Sequence, residues 1–205
     1  MNYITQRIRT GNRTISPDTL MTGSYPGLAS TAREIAEFIP KCNIYVEPFA
    51  GLGRVAKHVT ASGKVLNDKS DYACKYNKRF KATITQDDFV LCFDKWDGPE
   101  TYFFLDPPWR RQIYENNVLP FCDRSPKEYY DKIYQILPLL KGDWMLAMDW
   151  SQKERGKINL QIPYYEKLFV GKKTLFKKKI KTFCISNKPF INYNQSSITL
   201  ERSGN

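Results

Sequence analysis

The chain has 205 residues, 41% hydrophobic and 14% aromatic, which suits one domain with a buried core or one domain carrying a small insertion. Its net charge of +11 fits either a polyanionic partner or a Lys-rich solubilising surface, and composition does not separate the two. Five scattered cysteines (Cys42, Cys74, Cys92, Cys122, Cys184), no CxxC pair and one histidine, His58, argue against zinc and against a disulfide framework, and no run is apolar enough for a signal peptide or a membrane span. The expectation is a reducing, intracellular, cytoplasmic setting with no metal.

In chain order, residues 1–24 are rich in Thr, Arg and Asn and show little periodicity. They are expected to form a basic arm able to touch phosphate through Arg7, Arg9 and Arg13, or simply a frayed terminus. Tyr25-Pro26-Gly27 signals a turn. Ala32, Ile35, Ala36 and Ile39 recur at helical spacing until Pro40 ends the segment. Strand and helix signals then alternate. A strand over 44–47 precedes a helix over 53–61, and a strand over 64–67 precedes a helix over 69–81. A short strand covers 83–85, with a short helix after Asp88. The strand 101–105 leads into a polar loop, 110–124. Ser125 caps a helix opened by Pro126 and running to Leu140, with Pro138 distorting its last turn. A buried strand follows at 144–148. Segments 164–170 and 180–185, around Gly171-Lys172-Lys173, form a hairpin. Beyond Asn187 the tail is polar and expected to be loose. The organisation predicted is an arm (1–24), a catalytic domain (25–190) and a tail (191–205). Alternating strands and helices imply an α/β fold, a mostly parallel sheet with helices on both faces and an antiparallel terminal hairpin.

Two loops at strand ends carry the chemistry. The first is Glu47-Pro48-Phe49-Ala50-Gly51-Leu52-Gly53. Gly51 and Gly53 permit tight turns and close ligand approach. A helix opening there would offer unpaired amides to a carboxylate, such as that of S-adenosylmethionine (SAM). Glu47 can accept from the SAM ammonium. Phe49 can face the sulfonium or simply pack. Asp68, after the second strand, suits vicinal ribose hydroxyls or a helix cap. Asp88, with Asp87 as its competitor, can accept from the adenine amine of SAM while Phe89 stacks on the ring.

The second loop is Asp106-Pro107-Pro108-Trp109. The exocyclic amine of adenine is a poor nucleophile because its lone pair is delocalised. A carboxylate from Asp106 and a carbonyl from Pro107 would accept its two hydrogens and favour a localised lone pair. Pro107 and Pro108 stiffen the loop and lack amide donors. Trp109 can stack on a flipped-out base. Taken alone, this tetrapeptide also fits a stiff turn with a packed aromatic.

These residues resemble the Dam-type (D12 class) N6-adenine DNA methyltransferases over most of 25–188. Tyr25-Pro26-Gly27 resembles that family's N-terminal cofactor-contacting segment. Glu47 to Gly53 resembles its SAM loop, with Pro48 included. Asp106-Pro107-Pro108-Trp109 resembles its catalytic tetrapeptide, and Cys184-Ile185-Ser186-Asn187 its late strand ending in Ser-Asn near the active site. The resemblance implies a SAM-dependent methyltransferase (Rossmann-like) fold with a seven-stranded sheet, SAM as cofactor, and methyl transfer to adenine N6 in DNA by base flipping. There are two departures. Leu28-Ala29-Ser30 stands where the family carries a basic residue. No target-recognition domain fits between Phe89 and Leu105. Arg110 and Arg111 beside the catalytic loop, and Lys172, Lys173 and Lys177 in the hairpin, are candidate nucleic-acid contacts. For the hairpin, a solvated Lys-rich edge is the plainer reading.

The leading expectation is thus an adenine-specific DNA methyltransferase. An RNA adenine-N6 methyltransferase and a partner-dependent nucleic-acid-binding subunit are the alternatives, with a protein-glutamine methyltransferase well behind. A small Lys/Asn-rich enzyme of this kind would fit a virus or mobile element. Sequence leaves open the target sequence, strand state and oligomeric state.

Overall fold

The computed structural model describes residues 8–10, 13–15, 26–108, 126–149, 158, 160–171 and 181–193. Within the arm, β1 (Ile8–Thr10) and β2 (Arg13–Ile15) pair antiparallel, a pairing the sequence pattern does not announce. Then come α1 (Pro26–Ala36), β3 (Cys42–Glu47), β4 (Ala61–Asn67), α2 (Asp71–Asn77), β5 (Thr83–Thr85), α3 (Phe89–Trp96), β6 (Thr101–Leu105), α4 (Pro126–Ile136), β7 (Asp143–Asp149), β8 (Tyr165–Val170) and β9 (Lys181–Ser186). The seven strands β3 to β9 form one sheet in the order β5-β4-β3-β6-β7-β9-β8. β5, β4, β3, β6 and β7 run parallel, and β9 is antiparallel to both β7 and β8.

The central strand β6 is buried along its whole length, as a continuous apolar run covered on both faces should be. Its side chains alternate between two cores. Tyr102 and Phe104 join Ile35, Tyr45, Ala56 and Leu66 under α1 and the 51–58 segment. Phe103 and Leu105 join Phe89, Phe93, Ile133 and Trp144 under α3 and α4.

Several expected elements differ. Residues 51–58 form a succession of turns, not a helix, and β4 already begins at Ala61. Gly51 and Gly53 have φ of 49° and 59°, outside the right-handed helical region. The bonds that follow mix two spans: Gly53 N–H donates to Ala50 O (2.7 Å), Lys57 N–H to Gly53 O (3.2 Å) and His58 N–H to Val55 O (2.9 Å). α1 starts at Pro26, so Pro26 and Gly27, read from sequence as part of a turn, lie in the first helical turn, where a proline has no amide to lose. α2 is only Asp71–Asn77, capped by Ser70, which accepts from Ala73 N–H (3.3 Å). α4 stops at Ile136 and a 3₁₀ turn, Leu137–Leu139, carries Pro138. After Asn187 the chain is not loose as far as Tyr193: Phe190 lies 6.2 Å from both Phe38 and Phe169, and Tyr193 N–H donates to Glu37 O (3.3 Å). No helix among the described residues is long and apolar enough to cross a membrane.

Candidate active site

From β3 the sheet grows outward through β4 and β5 on one side and through β6 and β7 on the other. The point where the order reverses, at the carboxyl ends of β3 and β6, is where open α/β sheets form a ligand crevice. Glu47 ends β3 and Asp106 follows β6, so the two loops singled out from sequence flank this switch point.

The glycine loop is held from β4. Ala50 N–H donates to Asn67 O (2.8 Å), Gly51 N–H to Asp68 Oδ2 (2.7 Å), and Asn77 Nδ2 to Gly51 O (3.0 Å). The two glycines serve different needs. A Cβ on Gly53 would come within 2.8 Å of the Phe80 ring, so this position is closely packed. A Cβ on Gly51 would meet nothing within 4 Å, so that side of the loop is open. The expected row of unpaired helix-terminal amides is not formed. The 51–58 segment is not a helix, and the amides of Ala50, Gly51 and Gly53 are already bonded within the protein.

Glu47 is 3% exposed. Its carboxyl accepts from Tyr45 O–H (2.6 Å) and from Ala56 N–H. Burial pushes its pKa up to about 8, and the charge of Asp106 pushes the same way; the two hydrogen bonds and the Lys64 ammonium pull against them. Asp68 gives one oxygen to Gly51 N–H and the other to Ser70 N–H (2.9 Å). It is therefore the strap of the glycine loop, and Ser70 is the helix cap. Burial raises the Asp68 carboxyl, against the pull of those two bonds. Each oxygen retains a second lone pair for a hydroxyl.

On the next loop, Asp88 caps α3 by accepting from Val90 N–H (3.0 Å) and pairs with Lys69 (3.4 Å). Asp87 pairs with Lys95 (2.7 Å). Phe49 packs 4.9 Å from Phe89 and 5.6 Å from Tyr129. The Phe89 ring is enclosed by Phe49, Phe93 and Tyr129 and is 2% exposed, so it offers almost no face to a ligand in this conformation.

Asp106 is half-buried, Pro107 buried and Pro108 half-buried. The Asp106 charge raises the pKa of both Glu47 and the buried Cys184 thiol. Tyr25, Trp109, Arg110, Arg111, Lys172, Lys173 and Lys177 lie outside the described residues. α1 runs from this edge toward the opposite one. Thr31 Oγ1 is 3.2 Å from Thr182 Oγ1, and Thr182 pairs with Asp149 at the carboxyl end of β7. Phe38, beyond the other helix end, meets Phe190, which follows the far end of β9. The Pro26-Gly27 end of α1 is thus on the loop side.

Ser186-Asn187 is not near this site. β9 runs antiparallel, so its end lies beside the amino end of β7. There Trp144 N–H donates to Asn187 Oδ1 (2.8 Å) and Ser186 Oγ to Trp144 O (2.8 Å). Conversely, Asn67 belongs to the site although its sequence position does not mark it. This buried side chain donates to Pro48 O (3.0 Å) and Asp87 O (3.1 Å) and accepts from Thr85 Oγ1 (2.7 Å) and Asp87 N–H (2.8 Å). It ties three of the site's loops together. The available signal was an Asn closing a strand directly after the apolar pair Val65-Leu66, where Asn is disfavoured. Among the described residues, no group of three or more His, Cys, Asp or Glu could hold a metal.

Neither a protein-family model nor a curated protein sequence matches the chain. Solved structures do. A proposed SAM-dependent methyltransferase from Streptococcus mutans is 12% identical, with 84% of this chain and 50% of that one covered, at a TM-score of 0.52. A second proposed methyltransferase from the same organism, solved in complex with SAH, is 14% identical over 76% and 95% of the two chains (TM-score 0.49). A dimethyladenosine transferase from Plasmodium falciparum is 12% identical over 82% and 62% (TM-score 0.44). At these identities the likeness is one of fold: the chain has the α/β fold of SAM-dependent methyltransferases, a mostly parallel seven-stranded sheet closed by an antiparallel hairpin.

Proposed function

We propose that the chain transfers a methyl group from SAM to the N6 amine of adenine in DNA, on a base flipped out of its stack. One observation carries this reading: the Glu47 loop and the Asp106-Pro107-Pro108 loop sit at neighbouring strand ends on either side of the switch point. The residues fit the cofactor. Gly51 leaves open space beside its backbone, Asp68 keeps acceptor capacity for vicinal hydroxyls, and Glu47, buried and protonated below about pH 8, would offer a carboxylate to an ammonium once ionised. When bound, SAM supplies an electrophilic methyl group. The chain's part is to hold the amine. Asp106 and the Pro107 carbonyl accept its two hydrogens and localise its lone pair, and the methylated nitrogen, now acidic, gives up a proton to Asp106 or water. Positioning and electrostatics carry most of the rate.

An RNA adenine substrate is the second reading. It is favoured by the space between Phe89 and Leu105, which α3 and β6 fill without a recognition module. Labelled methyl transfer to duplex DNA, single-stranded DNA and RNA separates the two. N6-methyladenine formed only in DNA supports the first reading and only in RNA the second. SAM binding without transfer to any of the three would overturn both.

A further inference from the structure

A second concavity lies beside the 51–58 segment, on the amino half of β4. Its volume is about 360 Å³, and Lys57, Ala61, Ser62, Lys64, Phe80 and Lys81 line it. It lies at the amino end of β4, whereas Asp68 follows the carboxyl end. Lys64 and Asp68 are four residues apart, about 13 Å at ~3.3 Å per residue.

This lining contains three ammonium groups and no carboxylate. None of the three lysines forms an ion pair with a carboxylate among the described residues. Lys64 is half-buried and its Nζ donates to Ala56 O (2.6 Å), which leaves two of its three donors for other partners. Burial lowers the Lys64 pKa, with Glu47 pulling the other way. Next door, His58 is held toward its neutral form by burial and then by the charges of Lys57, Arg33 and Lys64, a sign that the local field is positive. A solvated lysine edge explains exposed Lys57 and Lys81. Lys64, held by Ala56 O, brings a third ammonium into the same concave wall. Clustered ammonium groups around a cavity suit a phosphate, which lysine binds as a point charge.

We propose that this pocket binds a backbone phosphate of the nucleic-acid strand whose target base enters the strand-end site. The proposal rests on the methyltransferase reading for its choice of strand.

The test uses the full chain and a fluorescein-labelled, adenine-containing single-stranded 12-mer, read by anisotropy from 50 to 200 mM salt. The Lys57→Gln/Lys81→Gln double variant is compared with Lys132→Gln/Lys141→Gln, which removes the same charge elsewhere. Loss of two contacts should reduce the slope of log affinity against log salt by about 1.4, at ~0.7 per contact, in the pocket variant only. Equal slopes in the two variants would overturn the proposal. Inorganic phosphate is titrated in parallel. If it binds the native chain but not the pocket variant while the 12-mer slopes stay equal, the pocket is a small-anion site and the backbone assignment is wrong. SAM affinity, measured by calorimetry, should be the same in both variants. Absence of SAM binding in the native chain would reject the methyltransferase reading, and the slope comparison would still decide the pocket.

Discussion

Replacing Glu47 with glutamine separates what the fold needs from what the cofactor needs. The carboxyl is buried, and its pKa stands at about 8 against an ordinary 4.5. At ~1.4 kcal/mol per unit, ionising it in the folded chain costs about 5 kcal/mol more than in water. The sign follows. Below pH 4.5 the group is protonated folded and unfolded. Between 4.5 and 8 the unfolded chain releases the proton and the folded chain keeps it, so stability falls as pH rises, by up to ~1.4 kcal/mol per pH unit. Above pH 8 both states are ionised and the slope ends. Glutamine removes this slope and can still accept from Tyr45 O–H. The Tm of Glu47→Gln minus that of the native chain should therefore grow by roughly 7–14 °C between pH 5 and 7.5, at 2–4 °C per kcal/mol for a domain of this size. SAM binding should respond in the opposite sense. Pairing with an ammonium requires ionised Glu47, so native affinity should rise up to tenfold per pH unit between pH 5 and 7. The variant should bind weakly, without that rise. Thermal melts and calorimetry across this range read both effects. A variant with the native pH slope of Tm would refute the burial argument, and one with native SAM affinity would refute the ammonium contact.

Gly53→Ala should destabilise the chain by about 1–3 kcal/mol, because a left-handed φ of 59° and a contact at 2.8 Å from Phe80 coincide; Gly51→Ala should cost about 1 kcal/mol, from strain alone, and mainly weaken SAM binding. Urea unfolding and calorimetry separate the two, and equal losses of stability would contradict the assignment. Asn67→Leu leaves Pro48 O and the Asp87 backbone without their partner, so a loss of about 2–5 kcal/mol is expected, with SAM affinity falling alongside. Full stability in urea would show that the loops hold without it. Cys184 is buried and its thiol is pushed well above the ordinary value, first by burial and then by Asp106. It should resist maleimide labelling in native chain and label on unfolding. Rapid labelling at native pH would contradict its place in the core.

The strands and their ends were legible because apolar runs stop abruptly at Glu47 and Asp106, and the next residues are ones that terminate strands. The 53–61 segment shows where the pattern falls short. Leu52, Val55, Ala56 and Val59 are all buried, at the spacing a helix would use. A series of turns buries the same positions, and hydrophobic spacing reports the inward side rather than the hydrogen-bond pattern. Ser186-Asn187 was misplaced because a motif carries no strand direction, and antiparallel β9 takes it to the far edge. Asn67, and one oxygen of Asp68, are spent on contacts 17 to 20 residues away along the chain, which nothing local announces. Glu47 was visible as an acid at a strand end. Its burial, and the hydrogen bond from Tyr45, became visible only in three dimensions.

The central claim is that the two loops form one site, with SAM held on the β3 side and the amine on the β6 side. The most direct measurement is SAM affinity and methyl transfer measured together for Asp106→Ala. Affinity is expected within a few-fold of native and transfer to adenine reduced by at least ~10²–10³-fold, the scale of losing one transition-state hydrogen-bonding group. Native transfer rates in the variant would contradict that claim.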